Sequence, residues 1–236
     1  MRSKQSGFTL IEIAIVLVII GLLLGGVLKG QELINSAKIK NVANDLNGIS
    51  AAVYGYQDRY KTFPGDDNGA SARWPAVGAA AAAQNGDKNG IVTGEFCEDP
   101  ATQLVAAAPA GEAVKFWQHL RFAGFIGGDT ASGEQPQNAL GGIVGVQTGS
   151  GLPAGVDLGS LVVCTSNLNG KIAEAIDRQF DDGLPDKGSL RAYTQSKAPV
   201  ARGCATNITR SAANVAASVG YNAGDDSELY TICKSI

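Results

Sequence analysis

The chain has 236 residues, a formal net charge of −3, 44% hydrophobic residues and only 6% aromatic residues. This length allows one sizeable domain and an additional anchor segment. The sequence contains no basic stripe, so its charge does not predict nucleic-acid binding. Because it has one histidine and no C-x-x-C pair, it also lacks the usual ligand pattern of a zinc site.

The first segment of the chain has the composition of a membrane-spanning helix. Arg2 and Lys4 precede the apolar run Phe8–Leu28, which has 21 residues and would be about 31 Å long as a helix. By the positive-inside rule, the N-terminus stays in the cytoplasm and the bulk of the chain is exported. No small-residue cleavage site follows the run, so we do not expect a conventional signal peptide, and a plain signal anchor remains an alternative.

Glu12 is the one carboxylate inside this apolar run. Ionisable residues in membrane spans are costly and usually paired, and no basic residue lies three or four positions from Glu12. We therefore expect its partner to lie outside this helix or to be created by processing. The alternative is that Glu12 lies near the headgroups and extends its carboxylate to water.

The hexapeptide GFTLIE at residues 7–12, behind a short basic leader, resembles the cleavage and methylation motif of type IV pilins and type II secretion pseudopilins. The resemblance implies that a prepilin peptidase cleaves between Gly7 and Phe8 and that the new Phe8 amine is methylated. It also implies that Glu12 meets the Phe8 amine of a neighbouring subunit during filament assembly. A carboxylate beside an ammonium in a low dielectric is far more stable than a lone carboxylate.

Beyond the apolar run, hydrophobic residues recur every three or four positions, which predicts that one helix continues to about Tyr60. The stripe consists of Val42, Leu46, Ile49, Val53, Tyr56 and Tyr60. We expect a leader at 1–7, a transmembrane and filament-core helix at 8–29, its amphipathic continuation at 30–62, and a globular head at 63–236. The predicted fold class is α+β, with the long helix packed on a small antiparallel sheet with Gly-rich loops, the lollipop arrangement that the pilin resemblance implies.

The head is predicted to contain two further helices and three strands. The helices are GEAVKFWQHLRFAG (111–124), ended by Gly124, and NGKIAEAIDRQF (169–180), started by Asn169. The strands are GGIVGVQ (141–147), GSLVVCTS (159–166) and GSLRAYT (188–194). The C-terminal region is expected to be mostly irregular.

Four widely spaced cysteines, Cys97, Cys164, Cys204 and Cys233, predict two disulfides in an oxidising compartment. Three pairings are possible from the sequence. We expect Cys204 to pair with Cys233, because the two are neighbours in order and close a C-terminal loop.

Asp177, Asp181, Asp182 and Asp186 lie within ten residues around the end of the helix at 169–180. Carboxylates at a helix C-terminus oppose the helix dipole, so a basic side chain or a cation should compensate them. Calcium binds clustered carboxylates in flexible loops, and the resemblance to pseudopilins, some of which carry a structural calcium, makes Asp181, Asp182 and Asp186 calcium candidates. The alternative is a solvated Asp-Gly turn.

A second loop, NGDKNGIVTGE at 85–95, alternates oxygen-bearing side chains and has glycine at its sixth position, as in an EF-hand. Its first ligand would be asparagine, and Glu95 falls one residue short of the bidentate position. A Gly/Asn-rich loop is therefore the preferred interpretation.

The sequence contains no recognisable pair of nucleophile and base, and the only histidine, His119, is expected to be structural, so we do not expect an enzyme. The resemblance implies a structural subunit of a type IV pilus or a type II secretion pseudopilus, and the large head favours a minor subunit. The alternative is a tip-located minor pilin that acts in binding, adhesion or DNA uptake.

The resemblance also implies the partners and the location of such a subunit. The partners are other pilin or pseudopilin subunits, the prepilin peptidase, an inner-membrane assembly platform with its ATPase, and membrane lipid before assembly. The location is the bacterial inner membrane, with a periplasmic head, and then the filament.

Overall fold

A computed structural model of the chain describes residues 10–76, 82–97, 111–130, 132–149, 158–159, 161–195, 220–222, 224 and 228–236. These residues form helices and a four-stranded antiparallel sheet, which confirms the α+β class. The helices are α1 Leu10–Tyr60, α2 Ala70–Arg73, α3 Glu112–Phe122 and α4 Gly170–Phe180. The strands are β1 Val144–Gln147, β2 Val162–Asn169, β3 Leu190–Gln195 and β4 Leu229–Ser235. The chain divides into two compact units, Met1–Lys38 and Ile39–Ile236.

The hydrophobic core of the second unit is built from the later part of α1, from α3 and α4, and from one face of the sheet. Along α1, the buried apolar residues include Val42, Leu46, Ile49, Val53 and Tyr56. They follow the spacing of three and four residues that brings side chains onto one helix face. The predicted amphipathic stripe is therefore confirmed.

The ends of the helices follow local sequence signals. α1 ends at Tyr60, and Lys61 adopts a left-handed conformation with a φ of 57° while its N–H donates to the Gln57 carbonyl at 2.8 Å. At the start of α4, the Asn169 side chain accepts a hydrogen bond from the Ile172 N–H at 3.0 Å, the usual geometry of a helix N-cap. Gly124, two residues beyond α3, has a φ of 77°, in the left-handed region common after helices.

The sheet has the strand order β1-β2-β4-β3, and all neighbouring strands are antiparallel. The three predicted strands correspond to β1, β2 and β3. The prediction of an irregular C-terminal region is wrong for residues 229–235, because these residues form β4 in the interior of the sheet. In β4, Tyr230 and Ile232 face the main core, whereas Cys233 belongs to a smaller cluster that contains Phe96 and Val162.

The strand register corrects the disulfide assignment. Cys164 on β2 lies directly opposite Cys233 on β4, with their Cα atoms 4.0 Å apart, and the two residues form a disulfide. The expected pair of Cys204 with Cys233 is therefore wrong, because β4 pairs with β2 and so places Cys233 opposite Cys164. Cys97 is also disulfide-bonded, and Cys204 lies outside the described residues.

Candidate assembly site

The first part of α1 exposes a continuous apolar surface. An 18-residue window of α1 has a mean hydropathy of 2.8, and none of it is buried, so the described residues contain one helix long and apolar enough to cross a membrane. Leu10 is 88% exposed, and the large apolar side chains that follow it through Leu28 are also exposed. Such a surface needs lipid or other helices around it.

Glu12 lies on α1, two residues after Leu10, within the exposed apolar surface. The predicted processing residues Gly7 and Phe8 lie outside the described residues.

The long apolar helix and the small antiparallel sheet together give the α+β arrangement of a pilin-like protein. A family profile described as "Prokaryotic N-terminal methylation motif" matches residues 2–28. The chain therefore carries the leader motif of type IV pilins and pseudopilins. This motif supports the interpretation of the chain as a pilin-like or pseudopilin subunit anchored by a single membrane span. It also implies processing by a prepilin peptidase and association with other pilin subunits. No curated protein matches the chain.

The head contains a group of three carboxylates that the sequence analysis did not assemble. Asp66, Asp87 and Glu112 each offer an oxygen atom within 4.8 Å of the others. Asp66 accepts hydrogen bonds from the N–H groups of Asn89 and Gly90, both at 2.9 Å. The three carboxylates come from the turn after α1, from the 85–95 loop and from the first turn of α3.

Glu112 also binds the 85–95 loop through hydrogen bonds. Its carboxylate accepts hydrogen bonds from the N–H of Asp87 at 3.0 Å and from the N–H of Thr93 at 2.9 Å. Burial raises the pKa of Asp66 above its usual value, and the neighbouring charge of Glu112 and a hydrogen bond with Asp87 also raise it, although the two loop amides lower it. The group can therefore hold a proton or a cation, but its hydrogen bonds also suffice to order a Gly/Asn-rich loop.

A second group lies at the predicted calcium candidates. Asp181 and Asp182 come together with Asp177, with one carboxylate oxygen from each within 4.8 Å of the others. Asp186 is not a member of this group. Among the described residues, the structure therefore brings together two of the three calcium candidates, Asp181 and Asp182. Burial raises the pKa of Asp177 above its usual value, hydrogen bonds from Tyr221 and Gly183 lower it, and the charges of Asp181 and Asp182 raise it.

Protein donors already contact these three aspartates. Asp177 accepts hydrogen bonds from the Tyr221 hydroxyl and from the Gly183 N–H, Asp182 accepts one from Leu184, and Asp181 accepts two from the start of β3. This pattern is that of a turn closed by its own aspartates. Calcium at this turn stays a prediction.

Sequence reasoning missed Asp66 and Glu112 as partners of the 85–95 loop. Glu112 lies 19 positions from Thr93, and Asp66 lies 23 positions from Asn89. The FPGDD sequence at 63–67 was the available signal, because a buried acidic turn after a helix needs donors from elsewhere in the chain.

Proposed function

We propose that this chain is a structural subunit of a type IV pilus or of a type II secretion pseudopilus. It is inserted with its N-terminus in the cytoplasm, cleaved after Gly7, methylated on Phe8 and extracted into a filament by an inner-membrane platform with its ATPase. The observation that carries this proposal is the match of the methylation motif to residues 2–28, over the same stretch as the exposed apolar part of α1. Catalysis forms no part of the proposed role.

In the assembled filament, Glu12 would bind the Phe8 amine of a neighbouring subunit. Before assembly, α1 holds the head at the membrane, and after assembly the same apolar surface is covered by the helices of other subunits. The partner of the carboxylate therefore changes with the state of the subunit. The energetic reason is that a pair of opposite charges in a medium of low dielectric is much more stable than either charge alone.

Mass spectrometry of the mature N-terminus tests the processing step. We expect the chain to begin with methylated Phe8, and a chain that keeps Met1 would contradict the proposal.

The assembly step is tested by Glu12→Gln, with Glu32→Gln as the matched control. Glu32 lies on the same helix, is 70% exposed, and makes an exposed ion pair with Lys29 at 2.9 Å, which contributes little. We expect Glu12→Gln to be cleaved normally but to be absent from sheared filaments, whereas Glu32→Gln should be incorporated. Equal incorporation of the two variants would refute the proposed pairing with the amine.

We further propose a minor subunit, because the region from residue 63 to residue 236 is large for a repeating building block. A tip-located subunit that binds a surface or DNA is the alternative form of this role. Quantitative mass spectrometry of purified filaments separates the possibilities: a minor subunit should be present at a few copies per filament, and a major subunit would dominate the preparation.

A further inference from the structure

His119 occupies a position that no part of the assembly mechanism uses. It is the only histidine of the chain, and its side chain, on α3, is fully buried. Its ring stacks against Tyr56 of α1, with 6.2 Å between the ring centroids and 9° between the planes. A buried imidazole in such a place needs partners for both nitrogen atoms.

Both partners are backbone groups from separate segments. The Gly65 N–H donates to Nδ1 of His119 at 2.9 Å, and Nε2 lies 2.7 Å from the Gln84 carbonyl oxygen. A carbonyl only accepts, so Nε2 must carry the proton and Nδ1 must be the acceptor. The two bonds together require the neutral ring, because a protonated ring would direct a second N–H at the N–H of Gly65.

The segments around the ring are too close to adjust by small movements. A Cβ atom at Gly65, whose φ is 92°, would lie 2.5 Å from the Glu112 carbonyl oxygen of α3. A Cβ atom at Gly86 would overlap the Gly65 carbonyl oxygen. The backbone of the turn at 63–69 thus lies against both the 82–90 segment and α3, and the imidazole bridges all three.

The charges around the ring come from several elements and act in opposite directions. Burial is the largest influence and lowers the pKa of His119 to about 4. The hydrogen bond to Gln84 and the negative charge of Asp67, on the turn, favour the protonated form, whereas Lys115 on α3 and Arg73 on α2 oppose it. Tyr56 of α1 faces the ring as a neutral phenol, since its pKa lies well above its usual value because of burial and a hydrogen bond to Asp67.

We propose that His119 is an acid-sensitive latch, whose protonation releases the turn at 63–69 from α3 while the bond from Nε2 to the Gln84 carbonyl is kept. Because the folded state holds the ring neutral, the latch is complete above the ordinary histidine pKa of about 6.5. It is lost as the pH falls toward 4. Acidification would loosen this surface of the head while leaving the sheet and the N-terminal helix in place.

The test uses the full chain in detergent micelles, labelled with ¹⁵N-histidine. Because the chain has a single histidine, one pair of imidazole signals reports on the latch. We expect the neutral tautomer with its proton on Nε2 at pH 7, and a titration midpoint near 4. A midpoint near 6.5, or the opposite tautomer at pH 7, would overturn the proposal.

Hydrogen exchange measures the release itself. If the open state titrates with an ordinary pKa, protection of the Gly65 amide, corrected for intrinsic rates, should fall by about a hundredfold between pH 7 and pH 4. Protection in the middle of α4 should stay constant. A titrating imidazole without loss of Gly65 protection would refute the latch.

The variant His119→Gln separates the imidazole from the carboxylates nearby. Glutamine keeps one acceptor and one donor but does not titrate, so the acid-induced loss of Gly65 protection should largely disappear. An unchanged loss in the variant would assign the effect to Asp66, Asp87 and Glu112 and contradict the proposal. If His119→Gln does not fold, the wild-type titration and exchange measurements still decide the question.

Discussion

Replacing Tyr56 with phenylalanine removes one hydroxyl group from a buried polar contact of the head. Tyr56 is fully buried on α1, and its hydroxyl donates to the Asp67 carboxylate at 2.7 Å. Asp67 is only 2% exposed and also accepts hydrogen bonds from Arg73 at 2.6 Å and from the Gly69 N–H at 2.8 Å. The substitution keeps the aromatic packing of the ring and changes only the donor.

The expected cost follows from the charge of the acceptor. Burial alone would raise the pKa of Asp67, but the hydrogen bonds from Arg73, Tyr56 and Gly69, with the charge of Arg73, outweigh it and hold this pKa below its usual value. Hydrogen bonds to charged groups contribute about 1.5–3 kcal/mol. Because two donors to Asp67 remain, we expect Tyr56→Phe to lower the free energy of unfolding by about 2 kcal/mol. For a chain of this size, that loss lowers the melting temperature by roughly 4–8 °C.

Thermal unfolding of the full chain in detergent, followed by circular dichroism, measures this loss. Tyr54→Phe is the matched control, because Tyr54 lies on the same helix two residues earlier and is 57% exposed. The control should melt within about 1–2 °C of the wild type. The difference between Tyr56→Phe and wild type should also shrink as the pH falls through the depressed pKa of Asp67, since the carboxylate is then protonated in both proteins. Equal melting temperatures for the two phenylalanine variants would refute the reasoning.

Two further predictions concern the covalent and ionic contacts of the head. Cys164→Ala with Cys233→Ala opens a loop of 69 residues, which should cost about 4 kcal/mol, and a loss below about 1 kcal/mol in chemical unfolding would contradict this estimate. Calcium at ten times its dissociation constant should stabilise the chain by about 1.4 kcal/mol if it binds the aspartate turn, and Asp182→Asn should abolish the rise in melting temperature. A rise that survives Asp182→Asn but is lost in Asp87→Asn would move the site to the other carboxylate group, and no rise would refute calcium binding.

Elements with strong local signals could be predicted from the sequence. The spacing of Val42, Leu46 and Ile49 predicted the buried face of α1, and Asn169 predicted the start of α4. In both cases the signal lies within a few residues of the structure that it determines. The methylation motif is local in the same sense, because its cleavage site and Glu12 lie within one hexapeptide.

The features that were missed depend on contacts between distant parts of the chain. β4 inserts between β2 and β3, so the partner of Cys233 is fixed by strand order and register rather than by sequence separation. Tyr230 and Ile232 face the main core and Cys233 faces the smaller cluster, but β4 follows a long stretch of small and polar residues, and the sequence alone did not mark this strand. Likewise, the bond between Gly65 and His119 joins residues 54 positions apart.

The contacts that hold the segments at 63–69 and 82–97 share one physical origin. The segments at 63–69 and 82–97 are rich in glycine and polar residues, so they have few apolar side chains with which to dock. Apart from core residues such as Val92 and Phe96, they are held by buried polar side chains of α3 that bind their backbone groups directly. Glu112 accepts from Asp87, Gln118 accepts from Gln84 at 3.0 Å, and His119 binds Gly65 and Gln84.

This mode of attachment makes different parts of the head sensitive to different changes. Apolar docking would depend little on pH, whereas the hydrogen bond from Gly65 depends on the protonation state of the His119 ring. Leaving a buried backbone donor without its acceptor costs about 1–3 kcal/mol, so the loss of one α3 side chain should weaken the attachment of the segment that it binds. The sheet, by contrast, is held by its strand ladders, its disulfide and its apolar core. Acid should therefore act first on the turn at 63–69, and single polar substitutions on α3 should act first on the segment that each side chain binds.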